Sequence, residues 1–347
     1  MKVFILFLFS SIFCIDKPNV YFSKTISPER MVFMYKKLGV NLKGKVGLKV
    51  HSGEPQGPYF LRPDFLQKIY DYTKGTFLEC NVAYGGERLN TSNHIKVLHD
   101  NGWFDNGRNI VIMDDDPTQD ITLNASEHYN KINITYVGKH LEEYDSCVVL
   151  SHFKGHQMGG YGGALKQLSI GFASTQGKMW IHSAGVSRDY RDFRTKSATQ
   201  KNFTDSMADA ASAVVNYFKQ KGDIVYINVM TNISLACDCA GKDAPKPEIN
   251  DIGILASTDP VAIDQACFDL INKTNEKGTE PFIKQIKDKL GLNTIEQAEY
   301  LGLGNREYNF IDVSDESDDT DDTGGNNGKG SFIDTSLKLI LLILMVM

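Results

Sequence analysis

The chain has 347 residues, 41% of them hydrophobic, enough for a sizeable core without disulfide staples. Its net charge of −6 is concentrated at one end: segment 312–347 carries eight acids against two lysines, and without it and Lys2 the body holds 35 acids against 34 bases. A body so near neutrality has no electrostatic footprint for nucleic acid, so no such partner is expected and any basic clustering must be local.

Residues 1–14 place Lys2 before the apolar run Val3–Phe9, the pattern of a secretory signal peptide and too short for a membrane span. The body, 15–311, reads as one α/β domain of one or two lobes. "NVYFS" is a strand. "SPERMVFMYKKLG" is a helix, with Ser27 as N-cap, Pro28 at its first position and Gly39 after its end. "KVGLKVHS" is a strand, "RPDFLQKIYDYTKG" a helix, "TFLECNV" a strand and "TSNHIKVLHDNGW" a helix. "NIVIMDDD" and "SCVVLSHF" are strands, the second almost wholly apolar, as a strand covered on both faces should be. The helix "SMADAASAVVNYFKQKG" leads to the strand "DIVYINVM"; "DIGILAS" leads to the helix "DPVAIDQACFDLIN". Helices near 280–289 and 294–301 and a strand near 308–313 complete the body. Strands separated by helices predict a mostly parallel sheet with helices on both faces. Loops at the carboxyl ends of its strands then form a composite site.

After the body, 312–330 is an acidic, glycine-rich segment expected to stay disordered. The apolar tail 331–347 behind it has the form of a glycosylphosphatidylinositol attachment signal. The expected location is therefore the secretory pathway and the cell surface, held to the membrane by a lipid anchor or by the tail itself. Sequons at Asn90, Asn124, Asn133, Asn202, Asn232 and Asn272 are candidate glycosylation sites.

Five successive strand exits carry polar loops, four of them glycine-bearing. The most unusual is "SHFKGHQMGGYGGALKQL", Ser151–Leu168. His152 and Lys154 follow a buried strand and His156 lies two residues on. The glycines, Gly162 and Gly163 among them, lead into a helix start whose backbone N–H groups would face an anion. Lys154, His152 and His156 are the candidate catalytic residues, with a histidine as acid or base. Lys166 would add charge to a substrate site. The loops "HSGEPQGPYFLRPD" and "NVAYGGERLNTSNH", with Lys49 on the strand before the first, contribute Lys49, His51, Arg62, Tyr84, Gly85, Gly86 and Arg88 to the same site. The two arginines suit bidentate binding of carboxylate or phosphate. Asp114-Asp115-Asp116 offers a hard-cation site or a turn, and Asp264 an acid that could orient a ligand.

Cys237-Asp238-Cys239 places two thiols on one face of an extended chain. They could hold a metal ion, with Cys80 or a histidine as third ligand, pair with Cys80 or Cys147, or stay free.

"KVHSGEPQGPYFLRP", "CNVAYGGERLNTSNH", "HFKGHQMGGYGGALKQLSIG", "CDCAG" and "DIGILASTDPVAIDQACFDL" together resemble the DUF362 family of proteins of unknown function. Many members carry a ferredoxin-like insert with cysteine quartets. Residues 182–206 hold no cysteine, so the chain resembles a shorter branch and no iron–sulfur cluster is expected. The resulting expectation is a protein that binds or transforms a small anionic ligand, with a metal ion as the candidate cofactor. The alternatives are a surface binding protein without turnover and, behind it, a redox protein.

Overall fold

The computed structural model describes residues 16–318. The signal peptide expected at 1–14, most of the acidic segment and the apolar tail lie outside them. Among the described residues no helix is long and apolar enough to cross a membrane.

Twelve strands form in chain order: β1 (Asn19–Ser23), β2 (Val46–Lys49), β3 (Thr76–Glu79), β4 (Ile110–Ile112), β5 (Ile121–Asn124), β6 (Ile134–Val137), β7 (Ser146–His152), β8 (Lys154–His156), β9 (Gly160–Gly162), β10 (Ile224–Met230), β11 (Gly253–Ser257) and β12 (Asn309–Asp312). Eight of them make one sheet in the order β12-β1-β11-β10-β7-β2-β3-β4. Strands β10, β7, β2, β3 and β4 run parallel, with His152 opposite Val229 at the carboxyl end of the β7–β10 ladder. Strand β11 runs against both β10 and β1.

The sheet is covered on both faces, and the strand alternation shows it. Cys147 and Val149 of β7 point into one apolar cluster, shared with the helices Gln200–Lys221 and Pro260–Lys273. Val148 and Leu150 point into a second, shared with the helix Pro28–Lys37. All seven residues of β7 and of β10 are buried, which is why both read as continuous apolar runs. Ser27 caps its helix as expected, accepting from Arg30 N, and the structure adds caps at Asn90, from Asn93 N, and at Asp259, from Val261 N and Ala262 N. The body packs as one unit through Glu316.

Three features depart from the sequence reading. Strands β5 and β6 form a separate hairpin. The glycine-rich stretch folds as a short ribbon, β8 against β9, before its helix begins at Ala164. An unexpected helix, Thr175–His182, capped by Ser174, follows that stretch.

Candidate functional site

Four of the five parallel strands deliver side chains to one cavity of about 250 Å³. His51 comes from the β2 exit, Cys80, Tyr84 and Arg88 from the β3 exit, His156 and Lys166 from the β7 exit, and Cys237 and Cys239 from the β10 exit. Lys178 and His182, on the unexpected helix, join Glu79, Gln157 and Gln167 in the rest of the polar wall. A void of about 10 Å³ adjoins it, sharing His51, Lys166 and Gln167 and touching His152, Lys154, Gly162 and Gly163.

Between the two cysteines that line the cavity, Asp238 anchors their segment to the β7 exit. Its carboxylate is buried and accepts from His152 Nδ1 at 2.9 Å and Lys154 Nζ at 2.9 Å. His152 Nε2 donates to Thr231 O at 2.6 Å. Burial alone would raise the Asp238 carboxyl, but His152 and Lys154 outweigh it and hold it well below the usual range. Asp238 opens a short 3-10 turn, Asp238–Asp243, with Cys237 as its extended N-cap, rather than continuing the extended chain expected for the two thiols. His152 and Lys154, expected as catalytic groups, are thus the partners of an internal carboxylate.

A second buried network sits at the ends of β2 and β3. Glu79 accepts from Lys49 Nζ at 3.1 Å, Ser52 N at 2.7 Å, Cys80 N at 2.9 Å and Arg88 Nη2 at 3.0 Å. Arg88 also reaches Glu54 at 3.1 Å through Nη1 and His94 Nε2 at 3.1 Å through Nε. Tyr84 donates to Glu54 at 2.8 Å. Each Arg88 nitrogen therefore already has a protein partner. Lys49 is fully buried at the base of this network.

The expected anion site at the helix start is filled by the protein itself. Asp264 accepts from Ala164 N at 2.8 Å and Leu165 N at 2.9 Å, and also from Asn228 and Tyr161. An internal carboxylate occupies the N–H groups that the glycine turn was expected to offer a ligand. A Cβ at Gly163 would lie 2.5 Å from Asp264 Oδ1, so this close approach explains why glycine stands there.

What faces the cavity unengaged is Lys166. Its ammonium makes no hydrogen bond or ion pair among the described residues. Burial, reinforced by Lys154 and Lys178, pulls its pKa down to about 7. Lys178 donates to Ala173 O at 2.5 Å, and burial lowers it too. His51 Nδ1 accepts from Gly53 N at 3.1 Å, and His156 Nδ1 from Gly159 N at 2.9 Å. In each neutral ring the proton then sits on Nε2, which becomes a donor. Burial holds both imidazoles well below their ordinary pKa, with Arg88 adding to it at His51 and Lys166 at His156. His182 stacks on Phe203 with ring centroids 4.4 Å apart, its Nδ1 is buried without a partner, and burial pulls its pKa to about 3.

Cys237 and Cys239 are joined to each other, not to Cys80 or Cys147. Donor atoms of His156, Cys237 and Cys239 lie within 4.8 Å of one another. Reduction of the pair is needed before thiolates could share a soft cation there. Cys80 is outside this trio: its thiol donates to Phe172 O at 3.4 Å, and burial pushes it up.

Three further expected residues lie elsewhere. Arg62 is exposed, donates to Gly57 O at 3.0 Å and sits over the Phe60 ring. Gly85 and Gly86 are exposed, with open space around them. The acidic run at the β4 exit serves the fold: Asp114 accepts from Asn81 N and Thr175 N, and Asp116 caps a turn at Thr118 N.

A family model described as a domain of unknown function (DUF362) matches residues 46–269. The chain belongs to the DUF362 family. No curated protein matches it. Among solved structures it is similar to a lactate racemase apoprotein from Thermoanaerobacterium thermosaccharolyticum, at 14% identity and a TM-score of 0.41, over 72% of this chain and 58% of that one. It is also similar to a Thermotoga maritima protein, at 16% identity and a TM-score of 0.37, over 79% and 57%. The chain thus spans under three fifths of either structure's length. The cavity lies within the matched region, since His51, Lys166 and Cys239 all fall inside 46–269.

Proposed function

We propose that this DUF362 protein binds and acts on a small organic anion, a carboxylate, in the cavity around Lys166. One observation carries the reading: Lys166 is a half-buried cation facing this cavity, with no carboxylate bonded to it among the described residues. Of the other cations near it, Lys49 and Arg88 are engaged by Glu79 and Lys154 by Asp238, while Lys178 donates to Ala173 O. Placing a cation in such a space is unfavourable unless a ligand supplies the opposite charge. Two neutral imidazoles with Nε2–H groups and the Lys178 ammonium add donors suited to carboxylate oxygens. Val82, Ala83, Met158 and Ile170 supply an apolar wall for a short carbon chain.

The test is calorimetric titration of the folded protein with oxalate, pyruvate and inorganic phosphate. A carboxylate should bind, and Lys166→Met should weaken it at least about tenfold, the scale of one charged hydrogen bond. Absence of binding by all three, or equal affinity in the variant, overturns the reading.

We also propose that the cavity is displayed outside the cell. The lysine-led apolar run, the apolar tail and the exposure of Asn90, Asn124, Asn133 and Asn272 support this. Glycosidase digestion of protein from its own cells should increase its mobility on a gel, and unchanged mobility would count against glycosylation at these sites.

A further inference from the structure

We propose that Lys166 is a nucleophile that forms an imine with the carbonyl carbon of a small oxo acid held in this cavity. The inference rests on the anion-binding reading and deepens it by naming the substrate class.

The geometry supplies what such a lysine requires. Lys166 lies in the first turn after Gly162-Gly163, and Asp264 fixes that turn through Ala164 N and Leu165 N. Its amine is therefore carried on a rigid backbone into a cavity partly lined by apolar side chains. No carboxylate bonds to it, so its nitrogen is not held in an ion pair. Lys154 and Lys178 lie close enough to disfavour a third positive charge. Desolvation beside other cations is a recognised way to obtain a reactive lysine amine. With a pKa of about 7, the neutral amine is a large share of the population at neutral pH. For an ordinary lysine that share is lower on the order of a thousandfold. Lys178 and the Nε2–H groups of His51 and His156 remain to hold the carboxylate while the amine meets the carbonyl.

The step balances without a co-reactant. The Lys166 Nζ lone pair attacks the carbonyl carbon, a C–N bond forms, and the C=O π electrons move to oxygen. The resulting carbinolamine takes up a proton on oxygen, gives one up from nitrogen and loses water. Nothing is oxidised or reduced.

The experiment is reductive trapping. The folded full chain is incubated with pyruvate and cyanoborohydride, then mapped by peptide mass spectrometry. The expected result is one carboxyethyl group on Lys166, at least about tenfold above any exposed lysine. Trapping should rise as pH climbs through about 7, because the amine loses its proton there. The other groups acting on that proton are Lys154, Lys178, Asp238, Glu79, His156 and His182. Lys166→Arg and Lys166→Met should both abolish the label, with unfolding midpoints recorded to confirm that each is folded. Label spread evenly over surface lysines, or a Lys166 yield unchanged from pH 5 to 9, overturns the imine. Oxalate separates the two readings, having no ketone or aldehyde carbonyl. If oxalate binds through Lys166 and pyruvate is not trapped, the imine fails and the anion site stands. If neither engages Lys166, both fail.

Discussion

Lys154 and Asp238 form an ion pair at 2.9 Å, with side chains 5% and 2% exposed, and His152 closes on the same carboxylate. Removing one member leaves an uncompensated charge in the interior, which costs about 3–5 kcal/mol. Asp238→Asn should therefore lower the stability measured by urea unfolding by that amount. The acid dependence has a definite sign. The folded carboxyl titrates below its unfolded value of about 3.9, so its contribution is complete above that pH and is lost as the pH falls further. The wild type should lose this stabilisation below about pH 4, and Asp238→Asn should lack that part of the loss.

Lys154, on β8, and Lys166, in the helix that follows β9, stand twelve positions apart and should behave oppositely. Lys154→Met strips Asp238 of a partner and should destabilise by several kcal/mol, about the cost of breaking a buried pair. Lys166→Met removes a desolvated cation that no carboxylate contacts. It should leave the fold unchanged or stabilise it by about 0.5–2 kcal/mol, while ligand binding weakens at least about tenfold. The pH dependence adds a check. A lysine whose folded pKa of about 7 lies below the unfolded value binds fewer protons when folded. Stability should therefore rise between about pH 7 and 10 in the wild type, and that rise should be missing in Lys166→Met. Chemical denaturation at a series of pH values decides it.

That contrast also marks how far the sequence could be read. The apolar runs of β7 and β10, and the cap at Ser27, gave core strands and a helix boundary from local chemistry. The strand-exit rule gathered His51, Tyr84, Arg88, His156, Lys166, Cys237 and Cys239 at one cavity. Which lysine is engaged and which is open was not local information. It depends on Asp238, which arrives from a different strand exit and selects Lys154. The same holds for the helix start: Asp264 fills it from another helix. Lys178 and His182 were missed with their helix, although Ser174 was a cap signal and their spacing of four places them on one helical face. Their chemistry becomes visible only once that helix packs beside the β3 exit.

Gly163 and Asp264 give a prediction about positioning. Gly163 is extended, with φ −161°, so its backbone does not require glycine. Space does: an added Cβ falls 2.5 Å from Asp264 Oδ1 and 3.0 Å from its carboxyl carbon. Gly163→Ala must therefore displace the carboxylate that accepts from Ala164 N and Leu165 N, an overpacking cost of about 1–3 kcal/mol. Because those bonds set the turn carrying Lys166, ligand affinity should fall in the same variant although no ligand contact is removed. A Gly163→Ala protein with wild-type stability and wild-type affinity would contradict this account of the turn.

The cysteines should fall into two reactivity classes. Cys237 and Cys239 are joined and line the cavity, whereas Cys80, Cys147 and Cys267 are free and buried. Burial pushes these three free thiols of the described residues up, Cys147 to about 12, so thiolate is scarce at neutral pH. Since the thiolate is the reactive form, these three should resist alkylation in the native protein. Before reduction, the pair should be unreactive as well. After mild treatment with a phosphine reductant, alkylation should label Cys237 and Cys239, with Cys80, Cys147 and Cys267 reacting only in denaturant. Mass spectrometry of the alkylated protein reads both states. Labelling of Cys80 in the native, reduced protein would show that its side of the cavity opens to solvent, contrary to the packing of its thiol against Phe172 O.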